Sequence, residues 1–299
     1  MRFEIEHDTR YRYSAPVALG PQTVRLRPRP DGAVRELAWT LTLNPKPQVR
    51  SDQLDAEGNL VTRLWFLGET RHLQIGVKLR AETSRPNAFD FVPDLGANRL
   101  PMDYVPAEAA ALALYRTQGA PGVALRSLVA QIEAVSDGSP AGFLVALNQW
   151  IYTQIEREIR DQGTAQSAAQ TLRVRRGACR DQTVLFVAAA RAVGLAARFV
   201  SGYQDKSAME TDRRYLHAWP EVYLPGGGWR GFDPTRCIAV ADGHIPVAAS
   251  TTPAGAAPVE GSYQGSARSE MGFHLSILTE PNPGLPERPD PSTDDHIAR

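Results

Sequence analysis

The chain has 299 residues, 42% of them apolar, enough for a sizeable core and about two domains. Lysine plus arginine and aspartate plus glutamate both number 33. The resulting zero net charge argues against nucleic acid or an acidic membrane surface as partner, because both call for a basic field. Two cysteines, Cys179 and Cys237, are too few for a disulfide framework and make a reducing compartment the expectation.

From Met1 to His7 charged and apolar side chains alternate, without the apolar stretch of a leader peptide. No run of about 18 apolar residues occurs. A soluble, cytoplasmic protein is expected, with no membrane partner. Residues 1–100 read as β: Phe3, Ile5, Tyr11 and Tyr13 alternate with polar residues, as do Leu37 to Leu43 and Leu73 to Leu79. Turn chemistry separates these runs at Arg29-Pro30-Asp31-Gly32, Asn44-Pro45 and Glu57-Gly58-Asn59. Short strands with turns between them predict an N-terminal β-sandwich. It holds no cysteine and no acid–base constellation, so it is expected to supply no catalytic residue. Prolines 86, 93, 101 and 106 mark a linker.

The period then changes. Leu125, Leu128, Val129 and Ile132, and further on Phe143, Leu147, Trp150 and Ile151, recur at helical spacing. An apolar run from Val184 to Val193 predicts a buried helix. Strands are expected over Ala197–Tyr203, Ala218–Leu224 and Trp229–Phe232, the last two joined by a Pro225-Gly226-Gly227-Gly228 turn. Residues 248–266, rich in Ala, Gly, Pro and Ser, read as loop, and Phe273–Leu278 as a final strand. The expected organisation is a sandwich over 1–100, an α+β core over 101–280 and a disordered tail over 281–299.

The chemistry concentrates in three places. Cys179 follows Gly177 and starts the buried helix; His217 opens one strand; Asp233 closes the next. A free thiol titrates near about 8.5, and a helix N-terminus or an adjacent imidazolium lowers that value. His217 is placed to be that partner, and Asp233 to fix its tautomer and orientation. Taken singly, each has a plainer reading: a buried structural thiol, a satisfied histidine, an Asp-Pro-Thr turn. Their order and spacing together favour a thiol acyl-transfer site. His7, His72, His244, His274 and His296 keep the plainer reading. Asp181 is expected to cap the helix or to pair with Arg198. Trp219 and Tyr203 are candidate walls of a substrate pocket, with core packing equally open to them. The Cys179 N–H is one oxyanion donor, and Gln166, Trp150 and Tyr152 are candidates for the second. Cysteines and histidines do not fall at zinc-ligand spacing, and no calcium-type carboxylate loop occurs, so no metal and no cofactor is expected.

Gly177-Ala178-Cys179-Arg180-Asp181, Arg191 through Tyr203, His217-Ala218-Trp219-Pro220-Glu221-Val222-Tyr223 and Gly228 through Thr235 resemble, block by block and in order, the transglutaminase-like family. The resemblance is to its bacterial branch with a β-rich N-terminal domain. It implies a papain-like core, in which a helix carrying Cys packs on an antiparallel sheet carrying His and Asp. It further implies Cys179 as nucleophile, His217 as general base and then acid, and Asp233 as orienter. Three functions stay open: hydrolysis of an amide or peptide bond through a thioester, the leading expectation; transfer of the acyl group to an amine; and an inactive scaffold. A peptide or protein substrate is expected.

Overall fold

The structure, a computed structural model, describes residues 1–94, 98–117, 119–160, 163–205 and 214–282. The expected disordered tail therefore falls almost wholly outside the described residues.

The first strand, β1 (Arg2–Val24), is 23 residues long. Its residues alternate exposed and buried from Arg2 to Thr9, as a strand with one face on a core must. It runs beside β5 (Glu69–Thr83), and their register slips between Arg12 and Val17. Before the slip β1 lies between β5 and β14 (Ser269–Glu280); beyond it, between β4 (Leu60–Trp65) and β13 (Val259–Gln264). The outer strands are β2 (Val34–Asn44), paired to β5, and β3 (Val49–Leu54), an exposed edge on β4. Both halves share one apolar core that includes Phe3, Ile5, Val24, Leu64, Leu73 and Ile75. The expected sandwich is present as two sheet halves on one shared core, hydrogen-bonded through β1 into seven connected strands. Its composition differs from expectation in one respect. β13 and β14 return from the C-terminal end, so residues 259–280 belong to the first sheet rather than to a core spanning 101–280. β13 lies in the stretch expected to be loop.

Between the two β regions come α1 (Pro106–Ala111), α2 (Ala113–Arg116), α3 (Val123–Val135), α4 (Pro140–Gln154) and α5 (Ala168–Val174). Ser139 and Ser167 cap the last two by accepting the N–H groups of Gly142 and Gln170. A short parallel pair, β6 (Glu156–Arg157) with β7 (Arg176–Gly177), leads into α6 (Cys179–Ala192). Then follow β8 (Ala197–Gln204), β9 (His217–Leu224), β10 (Gly228–Asp233), β11 (Ile238–Ala239) and β12 (His244–Ser250). They form an antiparallel sheet in the order β11-β10-β9-β8-β12.

This second sheet is covered on both faces. On one, Leu185, Phe186, Ala189 and Ala190 of α6 pack with Val222, Leu224 and Phe232. The Phe186 and Phe232 rings stack 5.5 Å apart. On the other, Tyr203, Ile245 and Val247 enter the core of the first sheet. Two-sided burial explains why every residue of β8 and of β12 is buried. It also explains why β12 escapes a sequence reading: its His-Ile-Pro-Val-Ala-Ala-Ser run suits a tight interlayer space rather than an alternating pattern. Pro246 is accommodated because β12 is the edge strand and its register slips there. Gly202 is required by the same crowding, since a Cβ there would collide with the Ile245 carbonyl oxygen and the Trp219 ring. Among the described residues no helix is long and apolar enough to cross a membrane.

Candidate active site

Cys179 is the first residue of α6, on a helix whose N-cap, Ala178, has no side chain to cap with. Asp181 does that work from the first turn. Its Oδ2 accepts the Ala178 N–H at 2.8 Å. Its Oδ1 accepts the Gln166 N–H at 2.7 Å and an Arg160 guanidinium N–H at 2.8 Å. The fully buried carboxylate thus joins the helix start to the two preceding segments. Of the two expectations for Asp181, capping holds. The ion pair is with Arg160, not Arg198, which instead pairs with Glu221 at 2.6 Å and lies over the Trp229 ring at 4.0 Å. Gly177 serves this anchor rather than a special backbone angle: a Cβ there would sit 2.8 Å from the Asp181 Cβ.

His217 enters from the first residue of β9 and Asp233 from the last of β10, adjacent antiparallel strands. His217 Nε2 lies 2.9 Å from Asp233 Oδ2. That leaves Nδ1 for the Cys179 side chain, with which His217 is hydrogen-bonded. Asp233 Oδ1 accepts the Thr235 N–H at 3.0 Å and the Thr235 hydroxyl at 2.7 Å, the Asp-Pro-Thr turn turned inward. The structure therefore brings Cys179, His217 and Asp233 into one hydrogen-bonded line.

Burial pushes the Cys179 thiol up, but its hydrogen bond to His217 and the imidazole's charge outweigh this and leave it below an ordinary thiol. Burial by itself lowers His217; Asp233, next to it, carries it up to about 10, with help from the thiol. Burial also opposes the Asp233 charge, yet His217 and His244 hold it well below the usual carboxylate range. The three shifts run in the directions that favour thiolate, imidazolium and carboxylate together. Cys237, the other thiol, is raised by burial.

A cleft of about 530 Å³ opens over this line. Cys179 and Arg180 lie on its helix side, His217 and Gln204 on its sheet side, and residues 157–160 along its rim. A further wall comes from the first sheet, with His7, Thr9 and Tyr11 of β1 and Met271, Phe273 and Ile277 of β14, and residues 214–216 line the cleft beside His217. The N-terminal region, expected to supply no catalytic residue, thus lines the cleft. Tyr203 and Trp219, expected as pocket walls, are fully buried and do not line the cleft. Tyr203 sits in the core of the first sheet with its hydroxyl 3.1 Å from His7 Nδ1. Trp219 lies below His217, ring centroids 6.1 Å apart. Gln166, Trp150 and Tyr152 do not line the cleft either. The Gln166 N–H is spent on Asp181, Trp150 lies under the Arg175 guanidinium at 4.8 Å, and Tyr152 is exposed.

His244 is the residue that sequence reasoning passed over. It is buried at the start of β12, with Nε2 3.2 Å from the same Asp233 Oδ2 that His217 contacts. Nothing local signals it, because the contact joins strands at opposite parts of the sheet. His217, Asp233 and His244 hold three ligand-type atoms within 4.8 Å of one another. The separations of 2.9 and 3.2 Å are hydrogen-bond lengths.

Comparison with known proteins agrees with this architecture. Residues 3–82 match the family profile of the bacterial transglutaminase-like N-terminal region, and residues 126–234 that of the transglutaminase-like superfamily. An uncharacterised Mycobacterium tuberculosis (strain ATCC 25618 / H37Rv) protein is 28% identical over 302 residues, covering 93% of this chain and 92% of the relative. An uncharacterised Mycobacterium leprae protein is 27% identical over 142 residues, 46% of this chain and 50% of that one. A Cytophaga hutchinsonii protein described as a candidate cysteine protease has the same fold, with a TM-score of 0.70 at 21% identity over 96% of this chain and 94% of its own. Residues 126–234 thus carry the transglutaminase-like core, and residues 3–82 the bacterial N-terminal region that accompanies it.

Proposed function

We propose that the protein is a cysteine-dependent acyl-transfer enzyme that hydrolyses an amide or peptide bond, with Cys179 as nucleophile, His217 as general base and acid, and Asp233 as orienter. The observation that carries this reading is the position of the His217 ring, hydrogen-bonded to a fully buried carboxylate on one nitrogen and to the Cys179 thiol on the other. A buried imidazole so placed favours a thiolate–imidazolium pair at the mouth of a cleft.

The Cys179 thiolate attacks the carbonyl carbon, and the electron pair of the C=O bond moves onto oxygen. That oxyanion forms next to the backbone N–H of Cys179, which as the first residue of α6 has no intrahelical partner. Collapse of the intermediate breaks the C–N bond, and the His217 Nδ1 proton goes to the departing amine. A thioester and a neutral imidazole remain. Water then attacks the thioester carbonyl while Nδ1 takes its proton, and the acid leaves as the thiolate–imidazolium pair is restored. Through both halves Asp233 keeps the imidazole plane and its Nε2–H fixed.

Two features favour water as acceptor. Tyr203 and Trp219, two of the three candidate walls of an amine channel beside Trp229, are used up in packing. Water at about 55 M also needs no binding site of its own. The volume of the cleft, about 530 Å³ with β1 and β14 as one wall, suits a segment of a peptide or protein. The test is partitioning. An activated acyl donor is given to the enzyme with and without millimolar cadaverine, and acid and amide products are measured. Acid as the dominant product supports hydrolysis; dominant amide decides for amine transfer; no acyl-enzyme by mass spectrometry decides for a scaffold.

A further inference from the structure

We propose that His244 is a fourth member of this site, a positioning residue whose Nε2–H is donated to Asp233 and holds the carboxylate in place for His217; the inference rests on the acyl-transfer reading above. Its Nε2 lies 3.2 Å from Asp233 Oδ2, the oxygen that also receives His217. The side chain is 1% exposed. Its Nδ1 is buried and meets no hydrogen-bond partner among the described residues. A buried N–H without an acceptor is rarer and costlier than a bare lone pair, so the proton belongs on Nε2 and the ring is neutral.

The surroundings agree with a neutral donor. Asp233 of β10, His217 of β9 and Arg236 just after β10 are the ionisable groups that act on His244. Burial first, then the charges of His217 and Arg236, outweigh Asp233 and keep the ring from taking a second proton. Packing fixes its plane as well. The Trp219 ring meets His244 edge-on at 5.0 Å and stacks with His217 at 6.1 Å, so one indole sets both imidazoles.

The role follows from what each histidine does during turnover. His217 gives up its Nδ1 proton and regains it in every cycle, and its bond to Asp233 must change strength as it does. His244 keeps one protonation state throughout. With Thr235 on Oδ1 and His244 on Oδ2, Asp233 stays ionised and stationary while its partner cycles. The N–H dipole also points into a cluster that carries an excess of negative charge once the thiol ionises, which favours that ionisation.

Two measurements on the full chain test this. In the wild-type protein, nitrogen-15 NMR of labelled histidine at neutral pH is expected to show His244, assigned by loss of its signals in His244→Gln, as the neutral Nε2–H tautomer. The Nδ1–H tautomer or an imidazolium overturns the proposal without need of a functional variant. The second is the pH profile of iodoacetamide alkylation at Cys179 in wild type, His244→Gln and His244→Phe. Loss of the donor in His244→Phe is expected to raise the thiol midpoint so that alkylation near pH 6 falls about tenfold, one unit of pKa. His244→Gln, which restores an N–H, should recover most of it. A His244→Phe profile equal to wild type overturns the proposal, and so does a His244→Gln loss as large as that of His244→Phe. A wild-type thiol with no acid-shifted reactivity fails the acyl-transfer reading itself, a result separate from any difference among the His244 variants.

Discussion

The helix side and the strand side of the cleft are each built around a fully buried carboxylate, and the two are neutralised in different ways. Asp181, in the first turn of α6, receives two backbone N–H groups and one guanidinium. Asp233, at the end of β10, receives two imidazoles and the two donors of Thr235. A guanidinium keeps its charge at every pH a protein meets, so the Asp181 cluster is a fixed joint. An imidazole titrates, so the Asp233 cluster responds to pH and to the state of the thiol it faces. One carboxylate places the nucleophile and the other governs its charge. Breaking each in turn is the way to separate the two effects.

The largest effects belong to the strand side and its thiol. Cys179→Ala, His217→Ala and the double variant are expected to lose similar activity, about 10⁴-fold, because either change leaves no activated nucleophile. Steady-state hydrolysis measures this, and additive losses in the double variant count against a shared role. Asp233→Asn should be milder than either, by about tenfold to a hundredfold, since the amide keeps some orientation of the ring but cannot balance an imidazolium. The pH dependence follows from the shifts. His217 rises from 6.5 to about 10, so its contribution to stability is complete below 6.5 and is lost as pH climbs through about 10. Cys179 is lowered from 9.0, so its contribution is present above 9.0 and is lost as pH falls through the depressed value. Both charges coexist between the depressed thiol value and about 10, and activity should fall off at each end of that window. Asp233→Asn should narrow it from the alkaline side, because the carboxylate holds His217 up, while its charge also raises Cys179 and so does not set the acid limit.

Asp181→Asn gives the contrasting result. Removing this carboxylate's charge leaves Arg160 and the Ala178 N–H without their anion, and a broken buried pair costs about 3–5 kcal/mol. Arg160 is partly exposed and also bonds Glu158 at 3.1 Å, so the loss should lie at the bottom of that scale, about 3 kcal/mol. Thermal or urea unfolding measures it. In the fraction that folds, the alkylation midpoint of Cys179 should stay where it is in wild type. A midpoint that moves removes the distinction between the two carboxylates.

The parts legible in the sequence are those that local chemistry fixes. Cys179 at a helix start, His217 opening one strand and Asp233 closing the next follow from Gly177, the apolar run after Cys179 and the glycine turn between β9 and β10. The helices of 123–154 and the strands β2 and β5 follow from periodicity. What escaped depends on distant packing. β13 and β14 complete a sheet begun by β1, a pairing across more than two hundred residues that no local pattern encodes. β12 is buried on both faces and so lacks the alternation that announces a strand. Tyr203 and Trp219 look the same in sequence whether they wall a pocket or fill the space beneath it. The wall role fails here because the second sheet has a layer on each side. His244 and Arg160 act through contacts whose partners lie on other elements, and their roles appear only when those elements are assembled.

That layering can be tested away from either carboxylate. Gly202→Ala puts a methyl group against the Ile245 carbonyl and the Trp219 ring, where neither neighbour has room to yield. Overpacking of this kind costs about 1–3 kcal/mol. Because Trp219 stacks with His217, the variant should also slow turnover. A stable Gly202→Ala protein with wild-type melting behaviour contradicts the tight two-sided packing of β8.

The smallest effect is expected at Cys237, which lies four positions beyond Asp233 and is the only other thiol in the chain. It holds φ at +56°, in the left-handed region that costs a residue with a Cβ about 1–2 kcal/mol and costs glycine almost nothing. Cys237→Gly removes that strain but also the partial burial of the side chain and adds freedom to the unfolded chain, so the net gain should be at most about 1 kcal/mol. The burial that raises the Cys237 thiol makes it the slow site for alkylation, in contrast to the depressed Cys179. Mass spectrometry of a time course near neutral pH should therefore show one fast modification at Cys179 in both proteins, with only the late second modification lost in Cys237→Gly. The pH profile of turnover should be unchanged. Equal rates at the two cysteines in wild type remove the claim that the Asp233 side of the cleft activates one thiol over the other.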